Sequence, residues 1–317
     1  MYKCCRHHRP LKSKLLWKRM QRMIKHKLIL IAVMALWGSL GIFVRSIPIS
    51  SLLLAFSRAI IALPILMLGV KMSGQSLRQC FKKENIPLMI SGALIGLAWV
   101  LFFAGFRLTS IANVTFIYNM CPIYVLILSP ILLKEKISRF QLLTILIAFF
   151  GFILIIAQSI DFADAAFLGI LAATLSGMLY ALIVIINRKY ASHLSGEAVA
   201  FVQLLFTLIV LLPFVIGSNA FTQFNEMNAF AWILLLVLGV FHTGLAYIGY
   251  FQSYKTCSAS TVAQFTYLDP AFALLFGYFL ANESLTLIQG LGGLLILGST
   301  FITLFIKNEK KGVIYGT

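Results

Sequence analysis

Ten apolar stretches follow one another from Leu28 to Ile306, separated by short polar breaks. Each is close to the about 20 residues that an α-helix needs to cross roughly 30 Å of hydrocarbon. In lipid the backbone must satisfy its own hydrogen bonds, and strand-like alternation is absent, so the stretches are predicted to be helices. The expected spans are 28–44, 50–70, 86–106, 111–133, 140–158, 167–187, 195–217, 230–252, 260–281 and 286–306.

The composition supports lipid as the solvent for most of the chain. Hydrophobic residues make up 61% of the 317 residues and charged residues only 11%, with a mean hydropathy of +0.96. Soluble domains carry roughly 25% charged residues. A water-soluble fold could not cover this much apolar surface, which excludes a soluble enzyme domain, a secreted disulfide scaffold and a disordered chain. The sequence therefore predicts an all-α integral membrane protein.

The positions of the basic residues predict the topology. With the N-terminus inside, 23 of the 26 Lys and Arg residues fall on inner segments. Arg45 and Arg107 fall outside, and Arg58 lies within a helix. Cytoplasmic loops collect Lys and Arg, so this distribution favours ten transmembrane helices in the plasma (inner) membrane with both termini cytoplasmic. Residues 1–27 and 307–317 are then cytoplasmic tails.

The N-terminal tail is the most basic part of the chain, with ten Lys and Arg residues and no acid among its first 27 residues. One interpretation is a helix lying on anionic lipid. The alternatives are an unstructured tail that sets topology, or an upstream extension of a chain that starts at Met20 or Met23. A nucleic-acid partner is not expected. The five cysteines are odd in number and lie inside or within helices, so neither a disulfide framework nor a structural metal site is predicted.

The second half of the chain repeats the first. A shift of 148 residues aligns Gly96-Leu97-Ala98 with Gly244-Leu245-Ala246, Trp99 with Tyr247, Arg107 with Lys255, Pro122 with Pro270, Glu135 with Glu283, and Gln141 with Gln289. Each copy holds five helices, an odd number, so the second copy must be inverted in the membrane. The predicted repeats are residues 28–158 and 159–306. Inverted repeats are typical of secondary transporters, whose site lies near mid-membrane where the repeats meet.

Several short motifs give this arrangement a family resemblance. They are Ala35-Leu36-Trp37-Gly38-Ser39, Ser57-Arg58-Ala59, and the pattern Pro, Glu, Gln that recurs as Pro122, Glu135, Gln141 and as Pro270, Glu283, Gln289. The chain resembles the drug/metabolite transporter superfamily, specifically its ten-helix EamA branch, over about residues 28 to 306. This resemblance implies export or exchange of small metabolites such as amino acids, without ATP hydrolysis. The first repeat departs from the pattern, because Cys121 stands where the second repeat has Asp269.

Two ionisable residues are expected deep in the membrane. Arg58 lies roughly 12 Å from the outer face and Asp269 roughly 14 Å from the inner face, at about 1.5 Å per helical residue. Each charge costs about 2.5–3.5 kcal/mol to insert, so each needs a function or a partner. We hypothesise that Arg58 holds a substrate carboxylate or phosphate, and that Asp269 faces a substrate amine or carries a coupling proton. The alternative is a structural Arg58–Asp269 pair that fixes helix packing.

Further candidates for substrate binding are weaker and have packing roles as their alternative. They are Gln203, the repeat counterpart of Arg58; His242; the aromatic residues Trp37, Trp99, Tyr180 and Tyr267, which could stack on a flat substrate; and Tyr118 and Asn119, one turn before Pro122. Gly92 and Gly96, by contrast, are expected to let their helix pack closely against a neighbour.

The remaining function classes are ranked by what the loops and buried charges allow. A polytopic membrane enzyme would need a cluster of catalytic residues, which the short basic loops do not offer. No phosphate-binding loop or other cofactor motif is present. Within transport, a nucleotide or cofactor exchanger would show more buried Lys and Arg, and a multidrug exporter more buried acid. One buried Arg and one buried Asp favour a zwitterion such as an amino acid, carried by a monomer or a homodimer.

Overall fold

The computed structural model describes residues 9–133, 138–157, 165–253, 257, 262, 265, 266 and 268–310. Over these residues the regular structure is helical and no β-strand occurs, which confirms the predicted all-α class. Seven of the described helices are long and apolar enough to cross a membrane, and three shorter apolar helices accompany them: Arg139–Ile155, Leu268–Ala281 and Leu287–Ser299.

The helices of the first half are joined by short polar segments. They are α1 (Arg9–Gly38), α2 (Leu40–Ser46), α3 (Ser51–Met72), α4 (Leu77–Cys80), α5 (Ile86–Leu108), α6 (Ile111–Tyr118), α7 (Cys121–Leu133) and α8 (Arg139–Ile156). Local sequence sets several of their starts. At α8, for example, the Ser138 hydroxyl accepts from the Gln141 backbone and the Gln141 side chain accepts from the Ser138 backbone, which forms a complete capping box.

The second half continues in the same manner. Its helices are α9 (Ala165–Tyr190), α10 (Gly196–Gly217), α11 (Ala229–Gly239), a π-helical segment (Val240–Leu245), α12 (Ala246–Ser253), α13 (Leu268–Ala281) and α14 (Leu287–Lys310). Two short 3-10 helices, Lys83–Asn85 and Ala220–Glu226, lie in the connections.

The first helix is longer than the expected span 28–44. Helix α1 runs without a break from Arg9 to Gly38, and α2 continues the span to Ser46 after an interruption at Ser39. Pro10 stands in the first turn, where a missing N–H costs nothing, and good helix formers follow it. Residues 9–27 are therefore helical and continuous with the membrane span, which differs from an unstructured tail.

Two of the expected spans are irregular. The span 111–133 is divided at Asn119 and Met120 into α6 and α7, as expected for a helix loosened by Pro122, which lacks a backbone donor. The span 230–252 contains the π-helical segment. Wider π turns shift the backbone register and are frequent at functional sites. Both irregularities therefore mark places where backbone and side chains can be redirected toward the interior.

Small residues let the helices approach closely. On α5, a Cβ at Gly92 would lie 2.9 Å from the Gln203 Cα of α10, so the expected close packing at this glycine is confirmed. Helices α8 and α14 cross where Gly151 faces Gly292, each close to the carbonyl oxygen of the other. Contacts between small residues are the usual means of helix association in lipid. Large apolar side chains such as Phe279 point outward instead, with 70% of its surface exposed.

Candidate functional site

Arg58 lies on α3 in the interior of the helix bundle, with only 3% of its surface exposed. Its Nε donates a hydrogen bond of 2.5 Å to Oγ1 of Thr243 in the π-helical segment. Its guanidinium carbon sits 4.2 Å from the ring centroid of Trp99 and 5.6 Å from that of Phe103. These two rings lie one turn apart on α5, so the guanidinium is held by a hydroxyl on one side and by aromatic faces on the other.

The guanidinium has no carboxylate partner in the part of the chain that the structure describes. None of the ion pairs among those residues includes Arg58 or Asp269, so the structural Arg58–Asp269 pair is not formed there. Within the same part of the chain, its one hydrogen bond uses Nε. The two terminal amino groups thus remain available for an acceptor from another molecule.

Aromatic side chains surround this guanidinium. Arg58 interacts electrostatically with Tyr247 and Tyr118, and the ring of Tyr118 lies 5.3 Å from that of Tyr180. On the opposite wall, Trp37 lies 5.9 Å from Tyr247, edge to face. Together with Trp99, these contacts bring four of the predicted aromatic residues into one cluster, on α1, α5, α6 and α9.

Several of the side chains around Arg58 are only partly buried. Tyr180 interacts electrostatically with Tyr247 and Asp269 and exposes 37% of its surface. Tyr118, Tyr247 and Asp269 are half-buried in the same way. Partly exposed polar and aromatic side chains beside a buried cation are a candidate binding site for a small molecule. We call the region bounded by Arg58, Tyr118, Tyr180, Tyr247 and Asp269 the chamber.

Asp269 lies in the first turn of α13 and faces the chamber from the side of the second half. It interacts electrostatically with Tyr118 and Tyr180. Its backbone carbonyl packs at Gly38 of α1, where a Cβ would lie 2.9 Å from the oxygen. The predicted cation and the predicted acid therefore border one chamber without pairing directly within the described residues.

His242 is used in helix packing. It is 1% exposed, and its Nε2 lies 2.9 Å from the Ser39 hydroxyl at the break between α1 and α2. Its backbone carbonyl accepts a 3.0 Å hydrogen bond from Nε1 of Trp37, and its ring lies 4.4 Å from that of Phe43. These contacts support the structural interpretation of this histidine, which holds Trp37 in place.

Two other candidates have local packing partners. The Gln203 side chain donates to Ser91 Oγ at 2.7 Å and to Asn187 Oδ1 at 2.8 Å, which joins α10 to α5 and α9 away from the Arg58 cluster. Asn119 donates to the Thr115 carbonyl of its own helix at 2.8 Å. The last candidate, Tyr267, lies outside the described residues.

The sequence reasoning missed two residues of the cluster. The sequence pointed to Tyr247 only as the repeat counterpart of Trp99. That correspondence could have predicted its place, because both residues lie beside Arg58. Thr243 was not singled out, although it directly precedes the repeated Gly-Leu-Ala motif at Gly244. Its role depends on the π-helical segment, in which its hydroxyl also donates to the Leu238 carbonyl at 3.0 Å.

In the described part of the chain, no group of three or more His, Cys, Asp or Glu residues is placed to hold a metal ion. The arrangement can bind a small polar molecule: a fixed cation, an acid and aromatic walls meet inside a bundle of apolar helices. The long apolar helices are those of a multi-pass membrane protein.

The family follows from sequence comparison. The model of the EamA-like transporter family matches the chain twice, over residues 25–157 and 167–305, and the chain belongs to this family. The protein is accordingly a membrane transporter and not an enzyme, with a small-molecule substrate and a lipid bilayer as its surroundings.

Curated relatives carry matching names. The chain is 28% identical to the "Uncharacterized transporter YxxF" of Bacillus subtilis (strain 168) over 88% of this chain and 89% of that protein. It is 26% identical to an "Uncharacterized transporter" of Archaeoglobus fulgidus, over 91% of this chain and 98% of that protein. A solved structure described as "Crystal structure of protein" is similar in fold, with a TM-score of 0.56 and 17% identity, over 90% of this chain and 99% of the other.

Proposed function

We propose that this transporter exports a small zwitterion, most simply an amino acid, by alternating access and without ATP. In this proposal its ten spans form two inverted five-helix repeats, residues 28–158 and 159–306, in the plasma (inner) membrane. Both tails, 1–27 and 307–317, are cytoplasmic. The twofold match of the family model supports the duplication, and the distribution of Lys and Arg supports the orientation.

The observation that carries the proposal is that Arg58 is buried without a carboxylate partner among the described residues. A buried guanidinium costs about 2.5–3.5 kcal/mol to insert into a membrane, and no carboxylate offsets that cost within the described residues. Thr243 and Trp99 fix its position, and its terminal amino groups are arranged for bidentate binding of a carboxylate. A substrate carboxylate supplies the missing partner.

The other end of a zwitterion fits the rest of the chamber. Asp269 borders the chamber from α13 and can face a substrate amine or carry a coupling proton. The faces of Tyr118, Tyr180 and Trp37 attract an ammonium group and stack on flat substituents. A compact molecule with one carboxylate and one amine would therefore engage both walls at once.

A cationic-drug exporter is the second candidate, because aromatic walls beside Asp269 also suit a flat cation. The fixed positive charge of Arg58 weighs against it. The charge of Arg58 acts on the neighbouring Tyr247 and His242, and the same charge would repel a cation that carries no carboxylate. A zwitterion offsets this repulsion with its own anionic group.

Uptake into proteoliposomes tests the substrate. The purified protein is given a panel of labelled amino acids, nucleotides and cationic dyes, with and without a pH gradient. We expect a carboxylate-bearing substrate to be transported, Arg58→Ala to abolish its transport and Arg58→Lys to retain a small part. Arg78→Ala, an exposed charge outside the spans, serves as the control. Wild-type transport by Arg58→Ala would overturn the proposed carboxylate site.

Asp269→Asn separates the two roles of the acid. If Asp269 carries the coupling proton, the variant will transport down a substrate gradient but will no longer respond to a pH gradient. If it binds the substrate amine, affinity will fall while the response to the pH gradient remains. Full activity with an unchanged pH dependence would exclude both roles.

A further inference from the structure

Glu283 makes a compact set of contacts in the segment between α13 and α14. Its Oε1 lies 2.5 Å from the Arg45 terminal amino group. The backbone N–H of Ile111 donates to both carboxylate oxygens, at 3.0 and 2.9 Å. The Glu283 backbone N–H in turn bonds the Gly277 carbonyl at 3.0 Å. One carboxylate thus neutralises an arginine and caps the N-terminus of α6.

Arg45, at the end of α2, complements this arrangement. Its Nε donates to the Phe106 carbonyl and its second amino group donates to the Thr109 carbonyl, both at 2.6 Å. These carbonyls end α5, where the helix dipole favours a cation. Arg45 therefore caps one helix while Glu283 caps the next, and the ion pair joins the two caps.

The contacts tie the second half of the chain to the first. The partners Arg45 and Glu283 are 238 residues apart, and Gln289 of α14 adds a 3.2 Å hydrogen bond to Asn113 of α6. Tyr278, in the same part of α13, is exposed and makes none of these contacts. The contacts of Arg45, Glu283 and Gln289 thus lie together where α13 and α14 meet α2, α5 and α6.

Packed apolar side chains connect these contacts with the chamber residue Tyr118. Phe106 and Ile111 are 3% and 1% exposed and pack at Gly41 of α2. The ring of Phe106 lies 4.6 Å from that of Phe102, which lies 4.4 Å from the chamber residue Tyr118. The polar contacts are thus linked to the chamber through packed apolar side chains.

We propose that Arg45 and Glu283 form a latch that holds the chamber closed at the end assigned to the outside by the charge distribution. Release of Glu283 from Arg45 and from the Ile111 N–H lets α13 and α14 move away from α2, α5 and α6. The side chains of Arg45 and Glu283 are 31% and 16% exposed, so water can replace their contacts when the latch opens. This inference rests on the proposed alternating access.

Chemical labelling of the chamber tests the latch without knowledge of the substrate. A variant with all five cysteines replaced carries Tyr180→Cys on the chamber wall. A membrane-impermeant maleimide is added outside right-side-out vesicles, and the labelling rate is measured by mass spectrometry. Glu283→Gln removes the charge, Glu283→Ala removes the cap as well, and Arg45→Ala removes the partner. The control is Glu226→Gln, an exposed carboxylate in the connection after α10.

We expect each latch variant to be labelled from outside at least about tenfold faster than the parent, since each loses a charged hydrogen bond that stabilises the closed state. Glu283→Ala should be the fastest, and Glu226→Gln should match the parent. Equal labelling rates in monodisperse latch variants and parent would overturn the latch.

A second measurement tests the latch in case the first set of variants fails to fold. The pair Arg45→Cys and Glu283→Cys is cross-linked in an otherwise cysteine-free protein with a short bifunctional thiol reagent that contains a reducible disulfide, because Arg and Glu side chains that meet at their ends hold the two backbones further apart than a direct disulfide spans. Transport is compared before and after reduction. We expect the cross-link to stop transport and reduction to restore it. Continued transport through the cross-linked protein would also overturn the latch.

The same labelling separates the failure of this inference from failure of the transport proposal. If Tyr180→Cys is labelled from the cytoplasmic side but the latch variants leave outside labelling unchanged, only the latch is wrong. If Tyr180→Cys is labelled from neither side under any condition, the chamber is not an open pathway, and both proposals are overturned.

Discussion

A substitution at Gly92 tests how closely α5 and α10 pack, because Gly92 faces the backbone of α10 at Gln203. The methyl group of Gly92→Ala would lie 2.8 Å from the Phe206 Cβ and 2.9 Å from the Gln203 Cα, with the Gln203 carbonyl nearer still. Carbon atoms prefer separations of about 3.5–4.0 Å, so the helices must move apart by about 1 Å. Backbone atoms cannot turn away as a flexible side chain can.

The cost of Gly92→Ala follows from three contributions. Overpacking typically costs about 1–3 kcal/mol. The 2.6 Å hydrogen bond from Thr207 Oγ1 to the Gly92 carbonyl is weakened, at about 0.6 kcal/mol for such bonds in membranes. The better helix propensity of alanine offsets up to about 1 kcal/mol of this destabilisation. The expected net destabilisation is therefore about 1–3 kcal/mol.

Thermal unfolding in detergent tests this value. The fraction of monodisperse protein that survives heating is measured by size-exclusion chromatography, and the midpoint for Gly92→Ala should be about 2–5 °C lower than that of the wild type. Gly217→Ala is the matched control, because Gly217 ends α10 with no atom within 4 Å of its would-be Cβ. If Gly92→Ala shifts the midpoint no more than Gly217→Ala, the close approach of α5 and α10 is refuted.

Three further predictions address other parts of the molecule. Thr243→Val leaves the Arg58 Nε unpaired, so KM for a carboxylate substrate should rise about tenfold, while Thr243→Ser should stay near the wild type. Equal KM values for Thr243→Val and the wild type would remove Thr243 from the site. Burial raises the pKa of the Cys80 thiol, which lowers its thiolate fraction at neutral pH. Maleimide should therefore modify Cys80 slowly until the protein unfolds, and rapid modification of the folded protein would contradict this. The Asn228 side chain accepts from the Ala231 N–H at 2.8 Å to cap α11, and Asn228→Ala should cost about 1 kcal/mol of stability in the same heating assay; no change would show that the cap is unimportant.

The helical architecture was predictable because membrane helices are limited by length and polarity. A window of about 20 apolar residues has few alternatives in lipid, so the all-α class follows from the pattern alone. The close packing at Gly92 was predictable for a related reason, since small residues at a spacing of four lie on one face of a helix. Arg58 stood out because buried charges are rare and costly.

The finer geometry was not predictable from local sequence. Nothing in the residues around Val240 requires a π-helical turn, and Thr243 acquires its role only through that turn and the distant Arg58. The contact between Arg45 and Glu283 joins residues 238 positions apart. Glu283 was recognised as the counterpart of Glu135, but the helix it caps depends on how α13 and α14 meet the first half.

The central claim is that one chamber, reached alternately from the two sides, carries the substrate. Counterflow tests it most directly: proteoliposomes are loaded with unlabelled substrate from the panel, diluted, and given a trace of labelled substrate outside. Alternating access predicts a transient accumulation of label above its equilibrium level, absent in Arg58→Ala. Simple equilibration of label without such an overshoot, in wild-type protein that transports the substrate, would contradict the account.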